Sequence, residues 1–265
     1  MENQKFFEDK FTTLVTGASG YLGKCICESF AKKGSNLILV DINKNKLEEM
    51  QINLKNMFKT SVFSYCCNLE VDEERENLLS SICSEHDHLN CLINNAAFVG
   101  TSEITGWNTS FENQSLESWK RAMEVNLTAP FHLSKLLTPL LRKSNYSSII
   151  NISSIYGIYA PDWNLYQGTK IFNPAAYSVS KAGLIQLTKW LATTLSPDIR
   201  VNAIAPGGIF RKQDEIFVKK YIHKTPLKRM AKENDIVEPI VFLASKMSNY
   251  ITGEVIIIDG GYGLA

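Results

Sequence analysis

Seven short stretches of this 265-residue chain, at 12–16, 36–40, 61–66, 89–93, 148–152, 200–204 and 254–258, are dense in apolar and β-branched residues and do not alternate cleanly. A strand with one wet face alternates polar and apolar residues, so unbroken runs point to a sheet covered on both faces. Between them lie stretches with helical spacing, at 23–33, 44–55, 73–85, 115–141, 175–195 and 233–246. Strand and helix in alternation give parallel strands joined by right-handed crossovers. The expected class is α/β, a doubly wound parallel sheet. No repeat, low-complexity tract or linker interrupts the pattern, so residues 1–265 are expected to form a single domain.

Composition narrows the partners. With 28 basic and 27 acidic side chains the formal charge is +1, which offers no general attraction to nucleic acid or an anionic membrane. A hydrophobic share of 45% is too high for a disordered chain. No stretch reaches the ~20 apolar residues needed to span a bilayer. Residues 1–10 are polar and mixed in charge, unlike a secretory leader. The expectation is a cytoplasmic protein with a small-molecule partner, no nucleic acid and no membrane. Cys25, Cys27, Cys66, Cys67, Cys83 and Cys91 show no CxxC spacing and read as buried free thiols, with no metal site. His86 and His88 read as surface residues, and the tryptophans 107, 119, 163 and 190 mostly as core.

The first run feeds Thr16-Gly17-Ala18-Ser19-Gly20-Tyr21-Leu22-Gly23 and then a helix. Glycines let backbone approach a pyrophosphate, and the helix N-terminus presents free N–H groups to it. With a strand before, a helix after and an acid downstream, the turn reads as the phosphate loop of a Rossmann sheet. Gly17, Ser19, Gly20, Tyr21 and Leu22 are its cofactor contacts. Asp41 lies 24 residues beyond Gly17, at the end of the second strand. A carboxylate there accepts from both hydroxyls of an adenosine ribose and repels a 2′-phosphate. NAD(H) is therefore favoured. NADP(H) is not excluded, because Lys44 or Lys46 stands close enough in sequence to meet a 2′-phosphate.

Tyr177 and Lys181 are four residues apart, on one face of a predicted helix. A phenol of pKa ~10 works poorly in proton transfer at neutral pH, and a neighbouring ammonium lowers that value. Asn151-Ile152-Ser153-Ser154 and Asn94-Asn95-Ala96-Ala97 end two earlier strands, and ligands of such sheets sit at strand carboxyl ends.

With these motifs in order, together with Glu124-Val125-Asn126-Leu127, Pro206-Gly207 and the ending Asp259-Gly260-Gly261, the chain resembles the short-chain dehydrogenase/reductase family over essentially its whole length. The resemblance implies hydride chemistry belonging to a nicotinamide. It implies Tyr177 as general acid or base, Lys181 holding the nicotinamide ribose, Ser154 polarising the reacting oxygen, and Asn126 anchoring a water of a proton relay. Asn68 and Leu69 would flank the adenine, Asn95, Ala96 and Ala97 would line the cofactor, and Pro206, Gly207 and Ile209 would meet its carboxamide end. Long paired helices imply a homodimer or homotetramer.

Four departures stand out. The glycine spacing is TGxxGxxG, where the family has TGxxxGxG. Ala97 replaces a usual Gly. The segment 158–176, between Ser154 and Tyr177, is longer than usual. The Thr that often follows Pro-Gly is replaced near Arg211, which leaves one cofactor contact open. Trp163 and Tyr166 in the long segment suit a sugar, with the alternative of a packed surface loop or subunit contact. Asp162-Trp163-Asn164-Leu165-Tyr166 resembles a bacterial branch associated with surface-sugar or flagellin modification. A substrate-covering segment is expected at 207–230. Over 211–229 it holds seven basic and two acidic residues, which reads either as a site for an anionic substrate, Arg211 included, or as a solvated amphipathic helix. The expected activity is interconversion of a secondary alcohol and a ketone on a phosphorylated or nucleotide-linked sugar. The alternatives are an NADPH-dependent 3-oxoacyl ketoreductase, an epimerase or dehydratase that retains its cofactor, and a non-catalytic cofactor sensor.

Overall fold

A computed structural model describes residues 6–99 and 104–264 of the chain; the first half of the polar N-terminal stretch lies outside them. The strands are β1 (Thr12–Thr16), β2 (Asn36–Asp41), β3 (Val62–Cys66), β4 (Cys91–Asn94), β5 (Ser147–Ile152), β6 (Ile199–Pro206) and β7 (Val255–Ile258). All pair in parallel, in the order β3-β2-β1-β4-β5-β6-β7. Chain order reverses between β1 and β4, which opens a crevice at their carboxyl ends.

Among the described residues the α-helices are α1 (Tyr21–Lys32), α2 (Lys44–Phe58), α3 (Asp72–Glu85), α4 (Leu116–Met123), α5 (Ala129–Leu141), α6 (Ala175–Leu195), α7 (Glu215–Lys224) and α8 (Glu233–Ala244), most of them covering the two faces of the sheet. Successive strand residues point to opposite faces. Val15, Leu37 and Leu39 pack with Ile26 and Phe30 of α1 and Ile236 and Ile240 of α8. Leu14, Ile38 and Leu92 pack with Ile82 of α3, Leu133 and Leu137 of α5 and Leu191 of α6. The central strands are buried throughout, while the edge strands β3 and β7 are half-buried.

The single helix expected over 115–141 is broken. A π-helical turn, Glu124–Thr128, separates α4 from α5. Pro130 has no N–H for the carbonyl four residues back, that of Asn126, so the α-helical ladder cannot run through this point. The amphipathic helix offered as one reading of 211–229 is present as α7, and it starts where Asp214 accepts from Ile216 N (2.8 Å) and Phe217 N (3.3 Å).

Other expectations need correction. Cys27, Cys67 and Cys91 are buried, but Cys66 and Cys83 are exposed and Cys25 is half-buried. His86 is half-buried, edge-on to Phe63 with ring centroids 4.5 Å apart and within 3.2 Å of the Tyr65 hydroxyl. Trp107 is core, Trp119 is half-buried, and Trp163 and Trp190 are exposed. Among the described residues no helix is long and apolar enough to cross a membrane.

Candidate active site

The glycine turn lies at the switch point. Gly17 sits at φ +62°, and a Cβ there would come within 2.8 Å of Ala96 Cα. A Cβ on Gly23 would be 2.1 Å from the Gly17 carbonyl oxygen. Neither position takes a side chain without moving backbone. Gly20 precedes α1 and gives it no side-chain cap, so the first N–H groups of the helix remain free for an anion.

Thr16 and Asn95 stitch the turn to β4. Thr16 Oγ1 accepts from the N–H groups of Asn95 and Ala96, both at 3.0 Å. Asn95 Nδ2 donates to the carbonyls of Thr16 (2.9 Å) and Gly17 (3.1 Å). Asp41, at the end of β2, accepts from Ser19 N (3.0 Å) through Oδ2 and from Asn43 N (3.1 Å) through Oδ1. The carboxylate therefore touches the glycine loop itself. Next to it Cys67 N donates to the Asp41 carbonyl (3.0 Å), which brings Asn68 and Leu69 to the same edge. A buried arginine that the sequence reading did not single out, Arg75, donates to the Leu69 carbonyl and through Nε to His132 Nδ1 (3.0 Å).

The second half of the site lies beyond β5. Ser153 and Ser154 divide the work between them. Ser153 Oγ donates to the Lys181 carbonyl at 2.8 Å, which is a structural bond. Ser154 lies beside the Tyr177 phenol and accepts from Tyr156 N (3.2 Å). Burial raises the Tyr177 pKa; the neighbouring Ser154 side chain and, more weakly, the charge of Arg211 oppose that rise. Lys181 is 2% exposed and lies one turn along α6, with Nζ 5.9 Å from the Tyr177 ring centroid. It donates to the Ile152 carbonyl at 2.7 Å, and burial pushes its pKa down to about 8.

Asn126 is fully buried on the π-helical turn. Its Oδ1 accepts from Phe98 N (2.7 Å), and its Nδ2 donates to Ser180 Oγ (3.0 Å). Ser180 in turn donates to the Tyr177 carbonyl (2.9 Å), so Asn126 braces the turn of α6 that carries the phenol.

Pro206 ends β6, Gly207 N donates to Ile258 O (2.8 Å), and Ile209 bridges Ala231. Trp163 and Tyr166 line a groove of about 640 Å³ with Phe111, Gln114, Gln167, Phe172, Asn173, Ser178 and Val179. Trp163 is 55% exposed there. The Tyr166 hydroxyl is already bonded to the Tyr156 hydroxyl at 2.6 Å. Arg211 is not with them: its contacts are Tyr21 and Glu233.

The basic stretch is largely committed inside the protein. Lys224 pairs with Asp162 (2.8 Å), and Lys220 donates to the carbonyls of Asn164 (2.8 Å) and Gln167 (2.7 Å). Lys228 donates to His223 O (2.7 Å), and Arg229 pairs with Asp235 (2.6 Å). Only Lys212 and Lys219 lack such partners among the described residues; Lys220 and Lys224 staple 158–176 to α7, and Arg211, Lys228 and Arg229 pair with other parts of the chain.

A glycine turn with an uncapped helix start at the sheet's switch point, with a Ser–Tyr pair two strands away, marks an oxidoreductase of CH–OH groups that uses a nicotinamide dinucleotide. The family described as enoyl-(acyl carrier protein) reductase matches residues 17–263. The chain belongs to the short-chain dehydrogenase/reductase family. It is 33% identical to post-translational flagellin modification protein A of Campylobacter coli, over 94% of this chain and 97% of that one. It is 31% identical to a 3-oxoacyl-[acyl-carrier-protein] reductase of Thermotoga maritima, over 94% and 96%. Among solved structures, a Leptospira borgpetersenii short-chain dehydrogenase with bound NAD+ shares 30% identity and a TM-score of 0.84, covering 99% of this chain and 96% of that one.

The residues present fit a dinucleotide: Gly17 and Gly23 let the turn pack tightly on itself and on the segment after β4, α1 offers an uncapped N-terminus at that turn, and the Asp41 carboxylate reaches the same turn.

Proposed function

We propose that the chain interconverts a secondary alcohol and a ketone on a sugar derivative, with NAD(H) as cofactor. The observation that carries the chemistry is the Tyr177 phenol with Ser154 beside it and buried Lys181 one helical turn away, its Nζ 5.9 Å from the phenol ring centroid. In reduction the Tyr177 O–H donates its proton to the substrate oxygen while Ser154 holds that oxygen. In oxidation the phenolate accepts the proton from the alcohol. The nicotinamide, when bound, supplies or takes the hydride. Lys181 would hold the nicotinamide ribose. Both ends of the Asn126 side chain are engaged, so a water of the proton relay would rest on its backbone carbonyl.

The contact between Asp41 and the glycine loop supports NAD(H) over NADP(H), because a 2′-phosphate there would meet a carboxylate. Gly17, Ser19, Gly20, Tyr21 and Leu22 would receive the pyrophosphate; Asn68 and Leu69 would flank the adenine; Asn95, Ala96, Ala97, Pro206, Gly207 and Ile209 would line the remainder. The aromatic groove with Trp163, Gln114 and Gln167 on its walls suits the face of a sugar, although its lining includes neither Ser154 nor Tyr177, so it would hold a part of the substrate away from the reacting carbon. Similarity to a flagellin modification protein supports a place in surface-glycan or flagellin-sugar biosynthesis. The internal staples leave little of the basic stretch to bind a substrate phosphate. Exposed Phe131 of α5 and Val179 and Trp190 of α6 support a homodimer or homotetramer, which light scattering of the purified protein would read directly.

A second reading is an NADPH-dependent 3-oxoacyl ketoreductase. The apolar groove walls Phe111, Phe172 and Val179 and the similarity to the Thermotoga reductase favour it. The test follows nicotinamide absorbance with NAD(H) and NADP(H) over neutral sugars, sugar phosphates, nucleotide sugars and 3-oxoacyl thioesters. Turnover of a sugar with NAD(H) is expected. Turnover confined to thioesters with NADPH would overturn the proposal.

A further inference from the structure

Arg211 is held in place by its own loop. Gln213 spans the turn, with Oε1 accepting from Arg211 N (2.8 Å) and Nε2 donating to Ile209 O (2.6 Å). Phe210 N donates to Ala231 O and Ala231 N to Gly208 O, both at 2.9 Å, so the residues before it are pinned as well. On this base the Arg211 guanidinium carbon lies 5.0 Å from the centroid of the Tyr21 ring. Tyr21 is the first residue of α1, the helix that the glycine turn opens. Arg211 Nε donates to Glu233 Oε1 at 3.3 Å, and Glu233 is the first residue of α8. The terminal nitrogens Nη1 and Nη2 have no partner among the described residues.

Two departures from the family pattern therefore touch each other. Tyr21 follows the displaced glycine, Arg211 stands near the missing threonine, and one stacks on the other over the N-terminal turn of α1. The stack leaves the outer edge of the guanidinium free, and that edge carries four N–H donors. A permanent cation here adds to the positive end of the helix dipole. Arginine suits the place better than lysine, because its planar fork both stacks on an aromatic ring and grips phosphate oxygens in pairs.

We propose that Arg211 completes the phosphate site, its terminal nitrogens closing on the pyrophosphate of the dinucleotide while Tyr21 shelves the fork and Glu233 anchors Nε. The proposal rests on the dinucleotide reading above and moves Arg211 from the substrate side to the cofactor side. The geometry favours that move, since its side-chain partners are Tyr21 of α1, the helix that the glycine turn opens, and Glu233 of α8. Arg211 has a second effect, as a positioning charge for Tyr177: its cation opposes the rise that burial imposes on the phenol.

The test is calorimetric binding of adenosine, ADP and NAD+ to the wild type and to Arg211→Met, with Arg211→Lys and Arg211→Gln alongside. Loss of a charge-assisted phosphate contact should weaken ADP and NAD+ binding roughly ten- to a hundredfold. Adenosine binding should be unchanged, and Arg211→Lys should recover part of the loss. Arg211→Gln, which keeps a donor for Glu233, makes the same comparison should the Met variant fold poorly. The alkaline limb of the oxidation rate should also move to higher pH in Arg211→Met. Unchanged ADP affinity with a raised KM for the carbonyl substrate would return Arg211 to the substrate side and overturn the proposal. Equal losses for adenosine and ADP would show a general distortion and overturn it too. A wild type that binds neither NAD+ nor NADP+ would instead sink the dinucleotide reading itself.

Discussion

Lys181 Nζ donates to the carbonyl oxygen of Ile152 at 2.7 Å and sits 5.9 Å from the centre of the Tyr177 ring. A buried ammonium held by one neutral carbonyl has lost most of its hydration, and its pKa falls to about 8. The unfolded chain keeps this proton up to about pH 10.4. Between the two values the unfolded state binds more protons, so folding stability rises with pH there; below about pH 8 the penalty is constant. Lys181→Met removes the penalty and leaves the carbonyl without its donor. We expect it to gain roughly 1–2 kcal/mol at pH 7 and to lose that advantage by pH 10.5. Urea unfolding at the two pH values checks this, and a variant equally destabilised at both would contradict it.

The buried Tyr177 phenol beside Ser154 sets a second expectation. Burial keeps the phenol protonated at neutral pH, which suits it to give a proton in reduction. Oxidation needs the phenolate, so its rate should climb on the alkaline side while reduction should not. Tyr177→Phe should cut turnover roughly a hundred- to ten-thousandfold and leave NAD+ binding within about twofold. A variant that keeps turnover would remove Tyr177 from the chemistry. A protein with no turnover even as wild type, yet with bound cofactor, would point to the epimerase or sensor alternatives.

The parts of this site that could be read from the chain are those whose partners are close in sequence. Gly17 to Gly23 and Tyr177 to Lys181 are local patterns, and local geometry brings them together. The π-helical turn escaped because apolar spacing over 115–141 stays nearly regular through it. The usable signal was Pro130, which denies Asn126 its α-helical donor. The basic stretch was misleading for the opposite reason. Its charges can be counted, but their partners are remote: Lys224 finds Asp162, and Lys220 finds the carbonyls of Asn164 and Gln167. Charge counting assigns such residues to a ligand unless the packing is known. Arg75 likewise reads as a surface residue in an acidic helix start, yet it is buried under the Leu69 carbonyl.

Asp41 has a structural role and, in the proposed function, a selective one. Its two oxygens each hold a backbone N–H, from Ser19 and from Asn43. Asp41→Ala should therefore cost about 1–2 kcal/mol of stability from the two lost partners. It should also shift the ratio of NADP+ to NAD+ affinity by about tenfold or more toward NADP+, since a carboxylate within reach of a 2′-phosphate repels it. Titration of both cofactors by fluorescence reads the ratio. An unchanged ratio would mean that the 2′-position lies elsewhere.

The staples between 158–176 and α7 give the last test. Lys224 pairs with Asp162 and lies 4.6 Å from the Tyr262 ring centroid, while Lys220 caps two carbonyls of the segment. If these lysines serve packing, Lys224→Ala and Lys220→Ala should each cost about 1 kcal/mol or less, as partly exposed pairs do. Hydrogen exchange should then rise at 162–169, where the segment is released. KM should move by a similar factor for a neutral sugar and for its phosphate, because neither lysine meets the charge. A rise of about tenfold for the phosphate alone, with exchange at 162–169 unaltered, would assign the lysines to an anionic substrate.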